Sequence, residues 1–280
     1  MEKIWITGAN GHVGSALVKM LDIKKYKFVA TDKNEVDITD IEAVHSFCKI
    51  NRPTIIINCS GLTDLQECEK NPDLAYAVNA VGVRNIAQEA QEVGAKLIQI
   101  STDDVFGTTE SPIPLNEFDD IAPRSVYGKS KAAGEKFMRA LMSRYVIVRS
   151  SWVYGLGRDY VNLVLEAAEK GGTFLAPNNQ YSSPTSAKEL AKVLMRFIDE
   201  EYYGTYHVVC KGSCSRYEYA QEILRLTNNE DKLKLIPCDD MMDTTPKYSI
   251  LDNMMIRISK IEEPAEWKTA LKEYFTGGNE

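Results

Sequence analysis

Among the tyrosines of this 280-residue chain, only Tyr127 has a lysine, Lys131, four positions on. On a helix that spacing puts phenol and ammonium on one face. A phenol titrating near ~10 is a poor proton donor at neutral pH. An adjacent cation favours the phenolate and is expected to lower that value, and the ammonium has spare donors for a ribose. Ser101-Thr102 closes the apolar run Leu97–Ile100, one helix earlier in the chain. Thr102 is expected to hydrogen-bond a substrate carbonyl together with Tyr127, so the catalytic candidates are Thr102, Tyr127 and Lys131.

A second pattern points to a cofactor. Gly8, Gly11 and Gly14 follow the apolar run Lys3-Ile4-Trp5-Ile6 and precede a helical pattern. Such a turn lets backbone approach a pyrophosphate and aims helix N–H groups at it. Asn10, His12 and Val13 belong to the same turn. Asp32 ends the next strand, where a carboxylate accepts from ribose hydroxyls and repels a 2′-phosphate, which favours NADH. Lys33 beside it either pairs with that phosphate or is a solvated lysine. The expected cofactor is a nicotinamide dinucleotide, NADPH or NADH. Asp37, Ile38, Cys59, Ser60, Gly61, Thr63 and Asn79 complete its expected groove.

These residues need elements to hold them. From His12 to Leu21, Val13, Ala16, Leu17, Met20 and Leu21 recur at helical spacing. Phe28–Ala30, Thr54–Asn58, Leu97–Ile100 and Val146–Val148 read as strands, the second β-branched as in a strand buried on both faces. Asn71-Pro72-Asp73 opens one long helix to about Glu92, and another is expected over Val126–Met142. Strand and helix alternate, which specifies a doubly wound parallel α/β sheet of the Rossmann type. After Tyr154 the pattern loosens, with a helix near Lys188–Glu200, a strand at Thr205–Val209 and two helices after Ser215. We therefore expect residues 1–151 to form the dinucleotide domain, with 185–202 returning to it. Residues 152–184 and 203–280 are expected to form a smaller C-terminal substrate lobe.

Composition narrows the partners. With 26% charged residues, a net charge of −7 and no dense Lys/Arg run, nucleic acid is not an expected ligand. No apolar stretch is long enough for a membrane helix, and no signal peptide precedes the first strand. Cys48, Cys59, Cys68, Cys210, Cys214 and Cys238 contain no C-x-x-C pair, so reduced thiols in a cytoplasmic protein are expected and no metal site is.

Gly8–Gly14 (G-A-N-G-H-V-G), Asn79–Asn85, Ser101–Phe106 (S-T-D-D-V-F) and Tyr127–Lys131 (Y-G-K-S-K) resemble the extended short-chain dehydrogenases/reductases. Arg52–Cys59 with Thr63, Arg149–Gly155, Gln180–Thr185 and Pro246–Asn253 are similar to the dTDP-4-dehydrorhamnose reductase branch. The resemblance implies hydride delivery from NADPH or NADH to carbon 4 of dTDP-4-dehydro-6-deoxy-L-mannose, with Tyr127 giving the proton. The implied product is dTDP-L-rhamnose, a precursor of cell-surface polysaccharide. Trp152 matches the aromatic lining of the sugar pocket, and Thr63, Thr102, Asp104, Trp152 and Gln180 are the expected substrate contacts.

Three positions depart from the branch. Asp104 replaces a usual Tyr, so Thr102-Asp103-Asp104 resembles a shortened dehydratase acid/base pair. Asp159 replaces a usual Asn, and a carboxylate there is expected to oppose an anionic ligand unless Arg158 compensates. Ser60-Gly61 replaces Ala-Ala beside the nicotinamide. Two other readings follow: a dehydratase or epimerase that retains its cofactor and uses Asp104 as an acid, or a non-catalytic cofactor-binding regulatory subunit. A nucleotide sugar is the expected partner, and a homodimer is compatible with the pattern.

Overall fold

The computed structural model describes residues 2–107, 111–239 and 246–277. In chain order the first half contains β1 (Lys3–Thr7), α1 (His12–Met20), β2 (Lys27–Thr31), α2 (Ile41–Asn51) and β3 (Ile55–Asn58). It continues with α3 (Leu65–Lys70), α4 (Pro72–Tyr76), α5 (Val83–Val93), β4 (Lys96–Thr102), α6 (Val126–Leu141) and β5 (Tyr145–Ser150). The second half contains β6 (Val153–Tyr154), α7 (Tyr160–Lys170), β7 (Gly172–Pro177), β8 (Tyr181–Ser182), β9 (Thr185–Ser186) and α8 (Ala187–Asp199). It ends with β10 (Gly204–His207), β11 (Cys214–Ser215), α9 (Arg216–Leu226), β12 (Leu233–Cys238), α10 (Met254–Ile258) and α11 (Trp267–Thr276).

Six strands form one all-parallel sheet in the order β10-β5-β4-β3-β1-β2. The period-2 alternation of strand side chains feeds a core on each face. Ile4, Ile6, Ile55 and Ile57 meet Leu17 of α1 and Leu190, Leu194 and Phe197 of α8. Trp5 and Ile56 point the other way, onto Ile86 and Ala90 of α5 and Met138 of α6. Burial on both faces explains why the strands read as unbroken apolar runs. The chain reverses direction of travel between β1 and β3, and a ligand crevice forms at the carboxyl ends of strands flanking such a switch point.

The expected doubly wound sheet is present, with four differences in detail. Gly204–His207, assigned from sequence to the lobe, is the sheet's edge strand β10. The expected long helix after Asn71 is broken by a π-helical turn, Ala77–Gly82, where the Asn79 side chain leaves the helix to bond another backbone. Helix α7, with its buried stripe of Val161, Val164 and Ala168, was not expected from the sequence. Among the described residues, three helices rather than two follow Ser215. The lobe has its own core around Tyr154, Val161, Tyr219, Ile223 and Trp267.

Candidate active site

The glycine turn is packed to near-contact. Gly8 has φ +62°, and a Cβ there would lie 2.7 Å from the Ser60 backbone nitrogen. A Cβ on Gly14 would lie 2.3 Å from the Gly8 carbonyl oxygen, so both positions are fixed by the protein's own packing. Gly11 differs, because its Cβ would meet only the Gly8 oxygen at an ordinary 3.4 Å. Space beyond it is open cavity, which is where a pyrophosphate would lie. Gly11 is also the N-cap of α1 and has no side chain to cap the helix, which leaves the first helical amides, at His12 and Val13, available to phosphate oxygens. The turn therefore fits a dinucleotide.

A cavity of about 320 Å³ continues from this turn, lined by Gly8, Gly11, Asp32, Lys33, Asp37, Ile38, Cys59, Ser60 and Gly61 among others. Asp32 accepts the Asn10 N–H at 3.1 Å and the Lys33 N–H at 2.8 Å, so Asn10 serves the groove through its backbone. Lys33 lies 3.9 Å from Asp37, whose carboxyl is held below its ordinary value by Thr39 and Lys33 against its burial. Burial pushes the Cys59 thiol up to about 12, which makes it lining rather than nucleophile.

A second cavity, about 780 Å³, shares Gly11, Cys59, Ser60 and Gly61 with the first and runs on to His12, Val13, Thr63, Thr102, Tyr127, Lys131 and Trp152. Most of the expected cofactor and catalytic residues are thus brought to one continuous cleft. Besides Asn10, three expected residues are not on its walls. Asn79 is 1% exposed and bonds the N–H and C=O of Leu62, both at 2.9 Å, and the Ser130 hydroxyl at 3.0 Å. It braces the wall from behind. Gln180 sits one step back, its carbonyl accepting the Arg216 N–H at 3.2 Å. Asp104 is half-buried behind Tyr127.

Local structure explains how Tyr127 and Lys131 arrive here. Ser125 caps α6 through the Gly128 N–H at 2.9 Å, which places Tyr127 in the first turn. A Cβ at Gly128 would lie 2.4 Å from the Asp104 carbonyl, so the glycine lets α6 press against the segment after Thr102. Further along α6, Glu135 accepts two bonds from Arg149 of β5, at 3.0 and 2.8 Å, and one from Ser101 of β4 at 2.6 Å. This buried bidentate pair clamps the catalytic helix to both strands.

The electrostatics differ from the expectation. The Tyr127 phenol is pushed up, first by burial and then by Asp104, with the hydrogen bond to Thr102 as the main opposing effect. Lys131 does not pull it down, because its ammonium donates to the Ile100 carbonyl at 2.7 Å and burial lowers Lys131 to about 8. A raised phenol keeps its proton at neutral pH but is a weaker acid than an exposed one. The Thr102 hydroxyl donates to Asp103 at 3.1 Å and receives the Asp104 N–H at 3.2 Å.

Sequence reasoning missed the roles of two residues of this region, Asp103 and Arg216, and did not foresee the cap made by Asp159. Asp103 is 5% exposed and accepts from Ser182 at 3.1 Å and Ser249 at 2.5 Å as well as from Thr102. It ties the end of β4 to two lobe segments. Arg216 opens α9 and stands over Trp152. A helix start was legible in Ser215-x-x-Glu218, but not the face it presents. Asp159 lines the cavity, and its carboxylate accepts the Gly155 and Asn162 N–H groups at 2.9 and 3.0 Å and so caps α7. Trp152 itself has φ +42°, an uncommon conformation for a bulky side chain and one that concentrates at functional sites.

Comparison with known proteins agrees with this geometry. A family model described as RmlD substrate binding domain matches residues 1–278. A solved dTDP-4-dehydrorhamnose reductase from Clostridium acetobutylicum is 41% identical, covers 98% of each chain and superposes with a TM-score of 0.94. The dTDP-4-dehydrorhamnose reductase of Bacillus anthracis, solved in complex with NADP, is 37% identical over 100% of both chains with a TM-score of 0.95. The spore coat polysaccharide biosynthesis protein SpsK of Bacillus subtilis is 34% identical over 98% of this chain and 97% of its own. With residues 1–278 matched and its glycine turn, Tyr127 and Lys131 in one cleft, the chain belongs to the RmlD family and is similar to dTDP-4-dehydrorhamnose reductases.

Proposed function

We propose that this protein is an NAD(P)H-dependent reductase of the 4-keto group of a dTDP-linked deoxysugar, with dTDP-4-dehydro-6-deoxy-L-mannose as substrate and dTDP-L-rhamnose as product. The observation that carries the reading is the continuous cleft joining the glycine turn to Thr102, Tyr127 and Lys131. Relatives matched over nearly their whole length support the same reaction.

When bound, the reduced nicotinamide supplies a hydride. The chain's own residues do the rest. The Tyr127 phenol, protonated at neutral pH, gives its proton to the oxygen that becomes the product hydroxyl. Thr102 lies on the same cavity wall as the phenol and is placed to bond that oxygen with it. Lys131, fixed by the Ile100 carbonyl and lying beside Gly61, has further donors for the nicotinamide ribose. Gly8, Gly11, His12 and Val13 hold the pyrophosphate, and Asp32, Lys33, Asp37 and Ile38 hold the adenosine end, where Asp32 suits NADH and Lys33 suits a 2′-phosphate. Trp152 and Thr63 line the sugar side.

The dehydratase alternative needs a carboxyl facing the sugar. Asp103 is committed to Thr102, Ser182 and Ser249, and Asp104 is not on the cleft wall, which favours a simple reductase. The same reading puts the chain in the cytoplasm, where its six thiols stay reduced; among the described residues no helix is long and apolar enough to cross a membrane. A turnover assay with 4-keto dTDP-, GDP- and CDP-sugars, following the absorbance of NADPH and NADH, tests the function. Stoichiometric oxidation of the cofactor by the dTDP sugar is the expected result. Conversion without net oxidation means a dehydratase or epimerase, and cofactor binding without any turnover means a regulatory subunit.

A further inference from the structure

The larger cavity contains a cation that the reaction above does not use. Arg216 is the first residue of α9, and its guanidinium carbon lies 3.7 Å from the Trp152 ring centre and 4.7 Å from that of Tyr160. Tyr219 stacks behind both rings, at 6.3 and 5.6 Å, and the Tyr160 hydroxyl donates to the Arg216 carbonyl at 3.0 Å. Stacking occupies the faces of a guanidinium and leaves its five in-plane N–H donors for other partners.

Among the described residues no carboxylate is within ion-pair distance of Arg216. The acids around it are otherwise committed: Asp103 to three hydroxyls, Asp159 to two backbone amides. Asp104 is the remaining neighbour, and burial raises its carboxyl to about 8, so it is largely neutral at neutral pH. The same cavity is lined by Ser150 and Tyr219, whose hydroxyls are buried without a protein partner among the described residues. A part-desolvated guanidinium beside unsatisfied hydroxyls is costly unless a ligand completes it.

We propose that Arg216, held as a plate on Trp152 and Tyr160, binds an oxyanion of the nucleotide-sugar substrate and helps to set which sugar nucleotides enter the cleft. The ligand's identity rests on the reductase reading, but the site itself does not. The oxyanion has two chemical sources, the diphosphate common to all nucleotide sugars or a carboxylate carried by the sugar ring.

Isothermal titration of the wild-type protein, Arg216→Gln and Arg216→Lys, each saturated with NADPH, separates them. Probes are dTDP, and UDP-glucuronate compared with UDP-glucose. If the diphosphate is the ligand, Arg216→Gln weakens dTDP by about 10–100-fold, the loss of a charge-assisted hydrogen bond, and Arg216→Lys recovers part of it. If a carboxylate is the ligand, dTDP is unchanged, while a wild-type preference for UDP-glucuronate disappears in Arg216→Gln. The proposal is overturned if all affinities stay within twofold in both variants, or if the wild-type protein binds none of the probes. Retained NADPH affinity shows that each variant is folded. None of these readings requires turnover, so a protein that fails the reductase assay can still pass this test, and the reverse.

Discussion

At the glycine turn the cleft is made of backbone, and at the end proposed for the sugar it is made of side chains drawn from distant segments. The turn at Gly8–Gly14 comes from one strand, one helix and close contacts that forbid a side chain. The sugar side assembles Thr102, Trp152, Tyr160 and Arg216, with Asp103 bonded across to Ser182 and Ser249. The difference teaches where each half is robust. Backbone amides at a helix start serve any pyrophosphate, so the cofactor half is generic. The sugar half depends on how the lobe docks, so specificity resides there.

Breaking the chemistry where the halves meet should have the largest effect. Tyr127→Phe should bind NADPH normally yet lose activity by about 10²–10⁴-fold, the range for a positioned proton donor. Full activity in single-turnover kinetics on the dTDP keto-sugar means that another group gives the proton.

Next in size is a change confined to the cofactor half. Gly11→Val fills the open space above the turn, and an overlap of ~1–3 kcal/mol corresponds to roughly 10–100-fold weaker NADPH binding. The affinity for dTDP should stay within twofold. A parallel loss of dTDP binding means that the halves are not independent.

The smallest effect sharpens the electrostatic side. Asp104 is raised from 3.8 to about 8, by burial first and by Asp103 second. Between those values the unfolded chain has released its proton and the folded chain has not, so stability falls as pH rises through the window. Asp104→Asn has no such loss. Its melting temperature should gain on the wild-type protein between pH 5 and pH 8, by several degrees. Activity should drop by less than about tenfold if the carboxyl only shapes the surroundings of Tyr127, since removing a true general acid costs 10²-fold or more. A nearly dead variant with intact cofactor binding revives the dehydratase reading.

The sequence by itself determined the parallel sheet, the glycine turn and the Tyr127–Lys131 pair. Each depends on residues close in the chain, where periodicity and steric needs act directly: a β-branched run buried on two faces, a glycine pressed on its neighbour's carbonyl, an i,i+4 pair on one helix face. Even there the expectation for the phenol failed, because spacing tells which groups are near and not what else is near them. Lys131 turned to the Ile100 carbonyl, and burial and Asp104 set the Tyr127 titration. Asn79 kept its position but served Leu62, and Asp159 kept its charge but used it to cap α7. Only the tertiary structure decided that Asp103 joins β4 to the lobe, across 79 and 146 residues, and that Arg216 settles on Trp152. Contacts of that kind are made by docking separate layers, and no local pattern in either partner records which surface the other will meet.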